Sequence, residues 1–364
     1  MGYPRVMERR IDRFKATRFL VMSAAAVVVI AGVKAAQSLI IPFLLAFFLA
    51  IICSPVVTWL TRYNVPNIVA VLLVVVLLVG ILAGVGAMVG GSVNDFIAAI
   101  PGYQDRLNDL IASSSRWLEQ FDIVLPSEEV TDYVNPGALM NAFAAGLRGL
   151  ASTLSNAFMI LLTMAFILLE ASSFPIKMRA AFGEGHDVTT DLSGVTHQVQ
   201  RYLAMKTLIS LVTGVCVTIW TAVLGLDFFV VWGLIAFLLN YIPSIGSIVA
   251  AIPAVLFALV QHGLGTAVVV AIGYVAINTV LGNIIEPNLV GRTLGLSTLV
   301  VFVSMVFWGW ILGPVGMLLS VPLTMIVKIF LEHSDDLKWV AVMLDSGRAA
   351  QARLEREQQG GGEE

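Results

Sequence analysis

The stretch from Val268 to Pro322, VVVAIGYVAINTVLGNIIEPNLVGRTLGLSTLVVFVSMVFWGWILGPVGMLLSVP, decides how the chain is to be read. It is almost continuously apolar, yet it carries Asn278, Asn283, Glu286, Pro287, Arg292, Gly313, Pro314 and Pro322. A charge at the centre of a bilayer costs about 2.5–3.5 kcal/mol on insertion scales, and a broken helix frees backbone groups that only water or protein can satisfy. Polar and helix-breaking residues in such a setting point to a polar path through a membrane.

The rest of the chain agrees. Of 364 residues, 58% are hydrophobic and 12% charged, and the mean hydropathy is +0.91, which is membrane composition. The chain reads as an all-α polytopic membrane protein. A net charge of −3 gives no electrostatic footprint for nucleic acid. Cys53 and Cys216 each sit in an apolar run without a C-x-x-C, and read as small packing residues. His186, His197, His262 and His333 have no metal-binding spacing. The Lys206-Thr207 pair lacks the glycine-rich loop of a nucleotide site, and no G-x-S-x-G elbow occurs. The sequence calls for no cofactor and no enzymatic activity.

A helix needs about 20 residues to cross about 30 Å of hydrocarbon. Eight apolar runs are long enough, near 18–36, 38–60, 67–92, 152–171, 205–226, 228–261, 264–286 and 297–331. The sixth and eighth exceed one simple crossing. Pro243, Gly246 and Pro253 interrupt the sixth, and Gly313, Pro314, Gly316 and Pro322 the eighth, so both are expected to be broken or re-entrant. Pro253, Gly313 and Pro314 are the candidate hinges. No internal repeat is evident.

Arg5, Arg9, Arg10, Arg13, Lys15 and Arg18 precede the first run. The run continues to Lys34 without a small-residue cleavage site, so it reads as an anchor and not a signal peptide. The positive-inside rule then places a basic N-terminus, 1–17, in the cytoplasm and 93–151 outside, between the third and fourth segments. The first membrane block is 18–92 and the second 152–331, with a cytoplasmic connection at 172–204 and a cytoplasmic, partly disordered tail at 332–364. The expected location is a bacterial inner membrane, multi-pass, with both termini cytoplasmic. Phe96, Ile100, Tyr103, Leu107, Leu110 and Ile111 recur at helical spacing. They predict an external helix packed on its own membrane domain, a lid over a path being the other reading.

Two clusters are candidates for function. Asn240, Tyr241, Pro243, Ser244, Gly246 and Ser247 make a polar, bendable patch, read either as a discontinuous helix exposing groups to a ligand or as a tightly packed kink. Asn283 and Glu286 share a helical face just before Pro287, with Arg292 beyond. Glu286 is the best single residue for handling a proton or ligand. It reads equally as a rim residue or half of a structural pair with Arg292. Trp308 and Trp310 fit interface anchoring or the lining of a path; Glu170 and Lys206 fit a cytoplasmic rim, Lys206 by snorkelling.

The blocks NYIPSIGS at 240–247, AAIPA after it, GNIIEPNLVGR at 282–292 and LGLSTLVVFVSMVFWGWILGPVGMLLSVPLT at 294–324, with IPFLLA near the second segment, resemble the autoinducer-2 exporter family over nearly the whole chain. The resemblance implies an inner-membrane homo-oligomer that exports autoinducer-2, a small oxygen-rich quorum-sensing signal. Some members of this family are described instead as sodium(lithium)/proton antiporters, so membership leaves the substrate open. The substrate path implied here runs past Asn240, Pro243, Ser244, Gly246, Asn283, Glu286 and Arg292.

Overall fold

A computed structural model of the chain describes residues 21, 24–25, 27–119, 145, 157–174, 176–177, 180, 188–290, 296–332, 337–347 and 351. Among these the chain is helical, with no β-strand and one isolated antiparallel bridge, Leu296 to Asp345. Helices α1 (Gln37–Arg62), α2 (Asn67–Glu119) and α3 (Ala157–Ala171) form one group. The first two are joined by a tight turn in which Asn64 takes the left-handed conformation (φ 62°) that Asn tolerates after a helix, and Pro66 leads into the next helix. Ala46, Ala50, Cys53 and Val57 pack against Ala70, Val71 and Val74 and against Leu161, Met164 and Leu168. Cys53 is thus a buried packing residue.

Helix α2 departs from the predicted boundary. It runs unbroken through position 93 for 53 residues, about 80 Å at 1.5 Å per residue. The start of the predicted external segment is therefore a continuation of the third apolar run. Phe96 and Tyr103 from this extension are buried among Phe228, Trp232 and Phe257, so this part packs on its own membrane domain. The side chains of Leu107, Leu110 and Ile111, and most of 120–156, lie outside the described residues.

The predicted broken sixth segment is a helical hairpin. Helix α4 (Val188–Val223) is followed by α5 (Phe229–Leu239), a six-residue break at 240–245 and α6 (Gly246–His262). The ends of α5 and α6 meet: Asp227 N donates to Gln261 Oε1 (3.0 Å), and Gln261 Nε2 donates to Gly225 O (3.4 Å). Tyr103 OH donates to Asp227 Oδ2 (2.8 Å) and Arg106 Nη1 to Gln261 O (3.1 Å), which fastens α2 to the same base. Pro253 lies within α6 without breaking it, so the interruption expected there is not formed. The break falls at Asn240–Ile245 instead, where Pro243 lacks an N–H and Ser244 takes φ 62°. Against α4, the hairpin sits at glycine distance: a Cβ on Gly233 would lie 1.8 Å from Thr218 Oγ1 and 2.6 Å from Gly214 O.

Helix α7 (Leu264–Asn278) returns from the hairpin base, passes into a π-helical segment at Thr279–Ile285 and ends in α8 (Glu286–Val290). Helix α9 (Thr298–Leu318), capped by the Ser297 hydroxyl accepting from Val300 N, is sharply kinked at Gly313 (φ 63°, ψ −150°), and α10 (Ser320–Glu332) follows. The chain doubles back there: Trp308 Nε1 donates to Thr324 Oγ1 (3.0 Å), and Gly309 faces Met317. Gly313 is where the φ requires glycine, so Gly313-Pro314 is a true break in the eighth segment. The tail is folded where it is described. Helix α11 (Lys338–Met343) leads to Asp345, whose buried Oδ1 pairs with Lys328 Nζ at 2.5 Å beside the bridge to Leu296.

Among the described residues, five helical spans are long and apolar enough to cross a membrane: Gln37–Arg62, Asn67–Arg106, His197–Val223, Leu264–Ile285 and Thr298–Leu318. Ala157–Ala171, Phe229–Leu239 and Gly246–His262 are apolar but shorter. Two variants probe this packing. Gly233→Ala, forced against Thr218, is expected to destabilise by about 1–3 kcal/mol, read as a lower melting midpoint in detergent. Asp345→Ala leaves Lys328, among the described residues, with Glu332 4.0 Å away, and is expected to speed proteolytic clipping around α11 several-fold.

Candidate functional site

Helix α4 presents a polar stripe at helical spacing in an otherwise apolar helix. Tyr202, Lys206, Ser210 and Thr213 are all buried on one side of it. The threonines spend their hydroxyls on their own helix, Thr207 on Leu203 O (2.7 Å) and Thr213 on Ile209 O (2.8 Å). The hairpin tip docks on this stripe. Asn240 Nδ2 donates to Ser210 Oγ (2.9 Å) and Tyr241 OH to Thr207 Oγ1 (2.7 Å). With eleven residues in α5, the tip lies about 16 Å from the hairpin base.

Lys206 is 4% exposed, and its Nζ lies 2.6 Å from Glu286 Oε1. This corrects one expectation, since Lys206 does not snorkel to a rim. Glu286 has a cation from a helix 80 residues away, and Arg292, the partner expected for it, lies outside the described residues. A buried ammonium is expensive unless paired, and the carboxylate supplies the pairing. The π segment brings Glu286 there. Its wider turns shift the facing of every residue after it relative to a regular continuation of α7, and such segments recur at functional sites.

Between the hairpin tip, α7 and the π segment lies a cavity of about 500 Å³. Asn240, Pro243, Ser244, Asn283 and Glu286, all predicted for a path, line it together with Lys206, Ser247, Tyr274, Asn278 and Thr279. Gly246 does not. It is buried, and a Cβ there would lie 1.8 Å from Leu239 O, so it closes the hairpin turn by packing. Gly313 and Pro314 are absent from the lining. Trp308 is engaged with Thr324, and Trp310 is exposed with Lys34 Nζ 3.8 Å over its ring, so neither joins this cavity. Glu170 is exposed and pairs with Lys177, as a rim residue would.

The walls carry amides, hydroxyls and one neutralised ion pair. Such a set can hold a small hydroxyl-rich molecule by hydrogen bonds, with an ammonium and a carboxylate within reach of it. Sequence reasoning left Lys206 as a marginal residue and passed over Tyr274 and Ser210. The 202-206-210 spacing was the signal available for the stripe; Tyr274 had none, because tyrosine in an apolar run reads as packing. Among the described residues no group of His, Cys, Asp and Glu is arranged to hold a metal.

The sequence profile described as AI-2E family transporter matches residues 20–336. The chain is 38% identical to the AI-2 transport protein TqsA of Escherichia coli K12, over 93% of this chain and 98% of that one. It is 40% identical to a Haemophilus influenzae Rd protein over 90% of this chain and 96% of that one, and 35% identical to YhhT of Escherichia coli K12 over 90% and 94%. The names of those two give transport in general and no substrate. Similarity over this length, on a chain of apolar helices enclosing a polar cavity, makes this protein a member of the AI-2E transporter family.

Proposed function

We propose that this transporter exports autoinducer-2 across the bacterial inner membrane through the cavity at the hairpin tip. The observation that carries the reading is the Lys206–Glu286 pair in the wall of a cavity otherwise lined by uncharged residues, amides and hydroxyls among apolar side chains such as Ile242, Ile248 and Val275. Similarity to TqsA, named as an AI-2 transport protein, supports the substrate. A small, oxygen-rich, uncharged signal needs amides and hydroxyls more than a ring of like charges, and Asn240, Ser244, Ser247, Asn278 and Asn283 supply them. The α5–α6 hairpin is read as re-entrant: both its ends lie at the Asp227 base, and its tip stops at the level of Ser210 within the α4 span.

In this reading substrate enters from the cytoplasm, the side to which the basic N-terminus is assigned, and displaces the polar contacts of the tip. Outward opening uses the second break, at Gly313-Pro314, as a hinge. Glu286 is the group placed to carry a proton if export is coupled, because releasing Lys206 exposes its carboxylate to the cavity. Arg292 remains in this proposal as a cation at the mouth of the path, and the functional unit is a homo-oligomer. The antiporter reading of the same family is less well supported. It needs a sodium ion at the carboxylate, and the Lys206 ammonium 2.6 Å from Glu286 repels one.

Purified protein in sealed vesicles decides between them. Autoinducer-2 efflux without sodium-driven proton movement is expected; the reverse result sinks the proposal. Glu286→Gln strands the Lys206 charge and is expected to lower both stability and efflux, efflux by about tenfold or more. The double variant Lys206→Met, Glu286→Gln removes both charges. Its melting midpoint is expected to recover while efflux stays low, whereas recovery of both would reduce the pair to a structural tie.

A further inference from the structure

We infer that the hydroxyl of Ser244 is a specificity-determining group that hydrogen-bonds the transported molecule, an inference that rests on the cavity being the transport site. Ser244 is the centre of a γ-turn in the hairpin tip: its φ is 62°, and Ile245 N donates across it to Pro243 O (2.6 Å). A γ-turn with positive φ at its centre is rare and strained. The other left-handed positions among the described residues show how such strain is ordinarily met. Gly225, Gly263 and Gly313 have no Cβ, and Asn64 tolerates the conformation. Phe228 (φ 60°) is compensated by packing, its ring edge-on to Phe96 and Phe257.

Ser244 has neither remedy. It is exposed at the tip, its side chain is a single hydroxymethyl group, and that hydroxyl makes no hydrogen bond among the described residues. Two positions on, the chain does use glycine, at Gly246, where Leu239 O leaves no room for a Cβ. A serine kept where the backbone asks for glycine has a use for its hydroxyl outside the folded chain, and strained conformations that persist cluster at ligand-binding segments. Ser244 is exposed and in the cavity wall, within reach of what enters. Two of the lining amides are engaged inside the protein, Asn240 Nδ2 on Ser210 Oγ and Asn278 Nδ2 on the Tyr274 carbonyl (2.8 Å). Ser244 is not. A serine hydroxyl donates one hydrogen bond and accepts others, so it matches a carbonyl or hydroxyl oxygen of a small oxygen-rich molecule.

Ser244→Ala removes the hydroxyl, Ser244→Gly removes the hydroxyl and the strain, and Ser244→Asn keeps a hydrogen-bonding side chain that tolerates the conformation. Melting curves in detergent and autoinducer-2 efflux from vesicles are measured for each beside wild type and the Lys206→Met, Glu286→Gln variant. For Ser244→Ala and Ser244→Gly the half-saturating concentration should rise about three- to tenfold, the value of one hydrogen bond, with the maximal rate kept. The ligand-free midpoint should hold for Ser244→Ala and hold or rise for Ser244→Gly, and Ser244→Asn should regain part of the lost affinity. A midpoint lowered in both Ser244→Ala and Ser244→Gly would show that the hydroxyl holds the fold and overturn the inference. So would unchanged half-saturation in both, and if the charge-pair variant were still impaired the cavity would keep its role without Ser244. Absence of autoinducer-2 efflux from wild type would overturn the inference together with the reading it rests on.

Discussion

An ammonium and a carboxylate 2.6 Å apart, one of them almost wholly buried within a membrane-length helix, constrain everything around them. Neither charge is tolerable there alone, so α4 and the end of the α7 run must stay in register for the pair to exist. The π segment meets that demand on one side, turning Glu286 toward α4. The Tyr202-Lys206-Ser210 stripe meets it on the other, giving the hairpin tip polar docking points next to the charge. The cavity is the space left where these requirements coincide.

Helices in lipid gain little from burying apolar surface against one another, so close approach and hydrogen bonding must hold them. Here the α4–α5 contact uses Gly214 and Gly233, and the α4–α7 contact uses Gly273 against Trp220. Apolar side chains such as Val215, Ile219 and Ile272 remain exposed, as lipid-facing residues would be. The base of the hairpin is held differently, by Tyr103, Arg106, Asp227 and Gln261, at the end of the bundle where polar groups cost less. Polar attachment at the base and a strained, proline-bearing tip leave the tip as the part most easily moved.

The second break has another character. Gly313 turns the chain by backbone conformation alone, and its neighbours Ile311 and Leu312 belong to the same buried cluster as Tyr202 and Leu203 of α4. Both breaks therefore converge on the same part of α4, although only the first opens onto the cavity. The docked tail, through Lys328 and Asp345, secures the far end of the second hairpin to the residues that precede α9.

The sequence by itself determined the membrane environment, the helical class, the location of the breaks near Pro243 and Gly313, and five residues of the cavity wall. Those properties are local: composition, run length, a missing N–H or a glycine-only φ can be read without knowing what lies opposite. Family membership was legible for the same reason, from contiguous motifs. Tertiary structure alone decided that Glu286 meets Lys206 from a helix 80 residues away, that Pro253 is accommodated, and that α2 runs on past position 93. Each of these depends on which helix faces which at a given depth, and an almost uniformly apolar sequence carries little periodic signal to choose among the faces.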